Sequence, residues 1–375
     1  MTSRRGPLVD LRVIDLSTVV AAPQACRYLA DLGADVIKVE RADGDTTRRM
    51  GWRDPADDVT LMWKLTNRGK RSIVLDLRSA TDRDVLLDLV EGADVLVENL
   101  RPGKLEALGL GPDVLHARND RLVVTRVSGF GQTGPYAQRP GFATLAEAMS
   151  GYADATGEPG GGPHLPPIAL GDEITAMVAA FATMAAVHAG VGQVVDVDLL
   201  TSMVSVMGPA VSAWFTEGYE QPRLGSGIPY SVPRGTYRCA DGRWVAVSAS
   251  SDDVAARVMA LLGRGDDPRF TSFAGRVEHR DELDDLLAGW MAERSSAEVL
   301  AAFDEAQAAV AHVYGVRDLA ADPHVAAREM LPVVDGVPAQ GLLARFSRTP
   351  GRPGDRAPAL DEHGDDVRRE GWGRG

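Results

Sequence analysis

Cysteine is almost missing from this chain: Cys26 and Cys239 are the only two in 375 residues. Two isolated thiols build neither a disulfide framework nor a Cys-x-x-Cys metal site, and they suit a reducing cytoplasm. No other group of ligating side chains has a spacing that would hold a metal. The N-terminus lacks an apolar segment; Met1 to Pro7 is polar and basic, so no signal peptide is expected. The longest apolar run, after Glu173, is broken by Thr175, Thr183 and His188. It is expected to be a buried core helix, with no membrane span. Basic charge is in deficit, with 40 Lys and Arg against 53 Asp and Glu and a net charge of -13. That balance argues against nucleic-acid partners but leaves room for a small anionic ligand held by local cations. Internal repeats and low-complexity segments are absent too.

What is present suits a large α/β protein. Hydrophobic residues make up 45% and charged ones 25%, enough for a sizeable core, and the length suits roughly two to three average domains. Arg12 to Leu16 reads as a strand, Pro23 to Leu32 as a helix ended by Gly33, and Asp35 to Glu40 as a second strand. That order predicts a parallel unit of Rossmann type. The turn after the first strand, Ser17-Thr18-Val19-Val20-Ala21-Ala22-Pro23, has no GxGxxG, so neither a nicotinamide nor a flavin cofactor is expected. Further strands are predicted at 72–77, 93–98, 122–127 and 193–199. Ligands of such sheets sit at the carboxyl ends of strands. Arg41, Arg78 and Arg101 each follow a predicted strand and would line one rim with guanidinium groups suited to phosphate. Taken singly, each is better read as an ordinary solvated arginine; their three equivalent places bring the phosphate rim level with that reading.

The stretch Ser128 to Tyr136, rich in Gly, predicts a loop that brings backbone close to something. From 216 to 233 recurrent Pro and Gly suggest a linker. A smaller α+β unit follows, opening on a hairpin around Ala240-Asp241-Gly242-Arg243 and continuing with amphipathic helices near 253–262, 280–292 and 296–308. The tail is irregular apart from a short helix near 362–371.

Asp172 stands at the sharpest boundary in the sequence. Before it runs the loop Gly157-Glu158-Pro159-Gly160-Gly161-Gly162-Pro163; after it, from Ile174 to Gly190, comes the apolar helix. An aspartate there is either a helix cap or a carboxylate held at a loop–helix junction as a nucleophile. Glu173 adjoins it, but neighbours on a helix do not face each other, so a paired-carboxylate mechanism is not supported.

Together these stretches carry a resemblance. Val13-Ile14-Asp15-Leu16 with Ala22-Pro23, Leu32 to Arg41, Asn67 to Leu77, Ala93 to Gly103, Gly129 to Tyr136, Gly171-Asp172 and Gly192 to Asp196 resemble, in order, the family III CoA transferases. That group includes formyl-CoA transferase, carnitine CoA-transferase and α-methylacyl-CoA racemase. The second half is similar more weakly, through Tyr237 to Gly242 and Asp318 to Pro323. The resemblance implies a large Rossmann-like domain over 1–215 completed by 326–375, a linker at 216–233 and a small α+β domain at 234–325. It also implies an interlocked homodimer. CoA, acyl-CoA and a small carboxylic acid are the implied substrates, with no metal. Asp172 falls on the family's catalytic aspartate, which attacks the thioester to give an acyl-aspartyl anhydride and then an enzyme-bound CoA thioester. A helix N-terminus beside it would keep it ionised. CoA contacts are implied for Val20, Ala21, Arg41, Leu75, Asp76, Leu77, Arg78, Asn99, Leu100 and Arg101, with Phe142 and Ala143 near the thioester.

Departures from the family pattern narrow the reading. Phe142 stands where the racemase branch carries a histidine, so two-base racemisation lacks its second base. Ala143 stands where relatives often carry Asp or Glu, Val20 replaces a glutamine, and the glycine-run lid of formyl-CoA transferase is absent before Tyr237. These set the chain apart from formyl/oxalate exchange. Phe142 and Met149 point to a bulkier or less polar acyl group. A CoA transferase is the foremost reading. Behind it stand an acyl-CoA racemase, epimerase or CoA-shifting isomerase, and then an acyl-CoA-binding protein without turnover.

Overall fold

The computed structural model describes residues 6–373. The chain begins with β1 (Arg12–Leu16), α1 (Ala21–Asp31), β2 (Asp35–Glu40), α2 (Leu61–Asn67), β3 (Arg71–Val74), α3 (Ala80–Glu91) and β4 (Val95–Glu98). Two short helices, α4 (Lys104–Ala107) and α5 (Pro112–Arg118), lead to β5 (Val123–Ser128). Then come α6 (Ala143–Met149), α7 (Tyr152–Ala155), α8 (Leu170–Ala189) and β6 (Gln193–Asp198). All six strands pair in parallel, in the order β3-β2-β1-β4-β5-β6. The order reverses between β1 and β4, which opens a crevice at their carboxyl ends.

Strand periodicity sorts the side chains into two cores. Val13, Val36, Val95 and Val123 face α1 and α8, while Ile14, Ile37, Leu96 and Val124 face Leu86, Leu89 and Leu115. Both faces are covered, as near-continuous apolar strands require. The free edge of β3 is closed by the chain's last segment: Val74 N–H donates to the Asp361 carboxylate at 2.7 Å and Ser72 N–H to His363 Nδ1 at 3.2 Å. The tail thus completes the large domain, and its short helix runs from Gly364 to Glu370.

Helix α8 departs from the expected buried helix. Only Gly171, Thr175, Ala176, Ala179, Thr183 and Ala186 are buried, a stripe of small side chains that lets it lie close on α1. Met177 and Phe181 are exposed, Phe181 to 76%. Its length and apolarity would suffice to cross a membrane, yet its inner face belongs to the core, and Thr183 Oγ1 meets Thr125 Oγ1 of β5 at 2.7 Å.

The described residues divide into two compact units. The first runs to Tyr152, resumes over 165–208 and closes with the chain from Pro323; the second holds 153–164 and 209–322. Residues 216–233, expected as a linker, lie inside the second unit. There Gly225 N–H donates to Gly157 O at 2.9 Å and Arg223 pairs with Asp154 at 2.8 Å, so the Gly/Pro loop is held by the stretch expected to be free. After α9 (Leu199–Ser205) and α10 (Ala210–Glu217), the hairpin forms as β7 (Arg234–Arg238) and β8 (Trp244–Ser248). Helices α11 (Asp252–Leu261), α12 (Phe273–Glu278), α13 (Arg280–Ala292) and α14 (Ser296–Glu305) follow. The last was expected to reach residue 308 but ends at Glu305, and β9 (Ala309–His312) then joins β8 as a third antiparallel strand.

Candidate active site

The loop after β1 is fixed from two sides. Thr18 N–H donates to Asn99 Oδ1 at 2.9 Å, and Asn99 Nδ2 donates back to Thr18 O at 2.7 Å. The next residue, Val19, has φ 71°, a left-handed conformation rare for a β-branched side chain. Its N–H donates to the Asp45 carboxylate at 3.3 Å, which holds the backbone there. Beneath the loop lies a buried ion network. Lys38 Nζ donates to Ser17 O at 2.8 Å and sits 3.2 Å from Asp45, while Lys70 Nζ donates to Asp15 at 2.8 Å and to Pro23 O at 2.7 Å. Burial alone would raise the Asp15 carboxyl, but Lys38 and Lys70 outweigh it and hold it down at about 2.

Asp172 is the third residue of α8, because the helix starts at Leu170 and not after Glu173. The capping reading therefore fails: Ala169 occupies the cap position and offers no side-chain bond. Glu147 of α6 takes that part, accepting Gly171 N–H at 2.9 Å. A side chain at Gly171 would crowd Ala143 and Glu147, each 3.2 Å from its Cβ, so glycine is what lets the two helices approach. The backbone N–H of Ala21, the first residue of α1, faces the Asp172 carboxylate. That contact favours the ionised form, but it does not win. Burial first, then the charges of Glu147 and Glu173, push the Asp172 carboxyl up to about 6. Glu173 itself turns away, accepting from Gln24 Nε2 at 3.1 Å and from the Tyr28 hydroxyl at 2.7 Å. The two carboxylates are not a catalytic pair.

Asp172 opens into a cleft of about 510 Å³ at the crevice between β1 and β4. Seven of the positions expected to contact CoA line it: Val20, Ala21, Asn99, Leu100, Arg101, Phe142 and Ala143. Arg41, Leu75, Asp76, Leu77 and Arg78 do not. Leu75 is packed into the core. Arg41 lies exposed beside Asp43, and Arg78 is held by Asp76 at 2.9 Å. Strand β3 ends at Val74, three residues earlier than expected, so Arg78 stands beyond the strand tip. Of the three arginines expected along one rim, Arg101 alone reaches the cleft.

Sequence reasoning missed Thr18, Val19 and Arg139, all of which line the cleft. Arg139 stacks on Tyr136, 3.8 Å from the ring centroid. The glycine-rich loop was a usable signal for it. What that loop approaches is its own far end: a Cβ on Gly129 would lie 2.6 Å from Gly141 Cα, so the backbones touch and draw residues 130–140 into one wall of the cleft. The result is one ionisable carboxylate, an apolar wall at Phe142 and two guanidinium groups, an arrangement able to take an anionic ligand against a nucleophile.

A profile for CoA-transferase family III matches residues 8–364. Succinyl-CoA--D-citramalate CoA-transferase from Chloroflexus aurantiacus is 36% identical, over 98% of this chain and 95% of its own. Succinyl-CoA:mesaconate CoA-transferase from Haloarcula hispanica is 36% identical, over 96% of this chain and 94% of its own. Among solved structures, a CaiB/BaiF family protein from Brucella suis superposes with a TM-score of 0.85 at 33% identity, covering 98% of this chain and 99% of its own. The chain belongs to CoA-transferase family III and is a CoA-transferase.

Proposed function

We propose that this enzyme moves CoA from an acyl-CoA donor to a carboxylic acid, with Asp172 as covalent nucleophile. The observation that carries the reading is that Asp172 is the sole carboxylate lining the cleft among the described residues. A carboxyl pushed up to about 6 is still mostly ionised at neutral pH and is more basic than a solvated aspartate. Its oxygen attacks the thioester carbonyl carbon; the C–S bond breaks, CoA leaves as thiolate, and an acyl-aspartyl anhydride forms. The thiolate attacks the aspartyl carbonyl, which releases the donor acid and leaves CoA on Asp172 as a thioester. The acceptor carboxylate attacks that thioester, giving a second anhydride and thiolate. Attack of the thiolate on the acceptor acyl carbon then yields the new acyl-CoA and free Asp172.

For the donor we take succinyl-CoA, the substrate that the similar enzymes are named for. Arg101 would serve the CoA phosphates, and the apolar Phe142 face the acyl chain. An isomerase has less support: no histidine, lysine or second carboxylate lines the cleft among the described residues, so a proton removed from the α-carbon has no second base. A homodimer belongs to the same reading, supported by the exposed Met177 and Phe181 on α8. So does a cytoplasmic location, supported by two free cysteines.

Intact-mass spectrometry with succinyl-CoA tests the mechanism. A CoA adduct on the wild type, cleaved by hydroxylamine and absent from Asp172→Ala, is the expected result. No adduct with any acyl-CoA, together with solvent deuterium entering the α-carbon, would replace transfer with isomerisation.

A further inference from the structure

The geometry points to Glu147 as the positioning residue of the nucleophile: from α6 it seats the first turn of α8 and sets a second carboxylate behind Asp172. The inference rests on Asp172 being the group that is acylated. Glu147 is 3% exposed, and its carboxylate accepts Gly171 N–H at 2.9 Å, one residue before Asp172. The cap position Ala169 supplies no side-chain acceptor, so a side chain from another helix meets the Gly171 N–H at the start of α8. The opposite end of α6 carries Phe142 and Ala143 into the cleft, so one short helix joins the acyl wall to the turn that holds the nucleophile.

Charged and polar groups reach Asp172 from each neighbouring element. Glu147 comes from α6, Glu173 from its own helix and the Ala21 N–H from α1, while Arg101 and Arg139 line the same cleft from its loops. Glu173 is occupied by Gln24 and Tyr28, and after burial Glu147 exerts the larger push on Asp172.

This placement has two chemical consequences. A negative charge behind a carboxylate makes it more basic, and so a better nucleophile towards a thioester. The repulsion also disappears when Asp172 becomes an uncharged anhydride or thioester. Glu147 therefore tilts the equilibrium away from the free carboxylate and towards the acylated enzyme.

Glu147→Gln separates charge from seating, because the amide oxygen still accepts Gly171 N–H. The acidic limb of the pH–rate profile for CoA transfer is expected to move down by about one pH unit, and adduct formation at pH 8 to slow by roughly three- to tenfold. Glu147→Asp keeps the charge and is expected to keep the limb near that of the wild type. Carbodiimide labelling of Asp172 against pH, read by peptide mass, follows the same ionisation without turnover and should show the same displacement. Coincident limbs and labelling midpoints for Glu147→Gln and wild type would overturn the proposal, even if the variant melts lower. A wild type without any adduct, but with the Glu147→Gln midpoint displaced, would overturn the covalent route on which the proposal rests and leave only the coupling between the two carboxylates.

Discussion

Asn99 and Thr18 grip each other by both ends, with the Asn99 amide accepting Thr18 N–H at 2.9 Å and donating to Thr18 O at 2.7 Å. This clasp ties the loop after β1 to the loop after β4, the two strands between which the sheet reverses its order. The carboxamide supplies the donor and the acceptor from two separate atoms of one side chain. Asn99→Ala is expected to lose both bonds and weaken succinyl-CoA binding by about tenfold, at a stability cost of about 1–3 kcal/mol. Asn99→Asp keeps the acceptor but turns an oxygen towards Thr18 O, and should bind no better than Asn99→Ala. Isothermal titration of the three proteins checks the order.

Asp172 makes a prediction about stability as well as activity. Its carboxyl is raised from 3.8 to about 6, so the folded chain binds that proton more tightly than the unfolded chain. Above pH 6 the ionised group therefore costs the fold, and the cost is relieved as pH falls from about 6 towards 4. Asp172→Asn should abolish transfer yet raise stability at pH 8 by on the order of 1–3 kcal/mol. The gain should shrink in melts recorded at pH 4. A variant less stable than wild type at pH 8 would contradict the raised carboxyl.

Gly141→Ala tests the closure of the loop. From the other side, a Cβ on Gly141 would meet Gly129 Cα at 2.6 Å, backbone against backbone, with no flexible side chain to give way. The wall carrying Arg139 and Phe142 must then move. Acyl-CoA binding is expected to fall at least about tenfold while the fold survives with a loss of roughly 1–3 kcal/mol, as circular dichroism and titration would report.

Lys70 is the keystone of the buried network, donating to Asp15, to Pro23 O and to Asn67 Oδ1. Lys70→Met leaves Asp15 buried with Lys38, at 3.6 Å, as its remaining cation. Losing one partner of a buried pair costs about 3–5 kcal/mol. Denaturant titration should show that loss at neutral pH.

The sheet was legible because its signals are local. Val13-Ile14-Asp15-Leu16 and Asp35 to Glu40 show their strand character within a few residues, and the Gly33 turn between them is equally local. The start of α8 was misjudged for the opposite reason. Asp172 reads locally as a cap, but the side-chain acceptor at that helix start is Glu147, 24 residues from Gly171 on another helix. Arg78 shows the same limit: the rim argument depended on where β3 ends, and its end is set by pairing with β2 at Glu40↔Val74. Asp172 lines the cleft, and the upward push on its carboxyl comes from neighbours that spacing does not reveal.

The tail that closes β3 fixes an order of events during synthesis. Val74 finds its partner in Asp361, 287 residues later, and Trp63 Nε1 donates to Pro358 O at 3.0 Å. On the ribosome, all six strands and the whole second unit emerge before the segment that covers the edge. The growing chain therefore carries an open strand edge through most of its translation, and a ribosome stalled short of Pro358 would present that edge to whatever extended chain lies nearby.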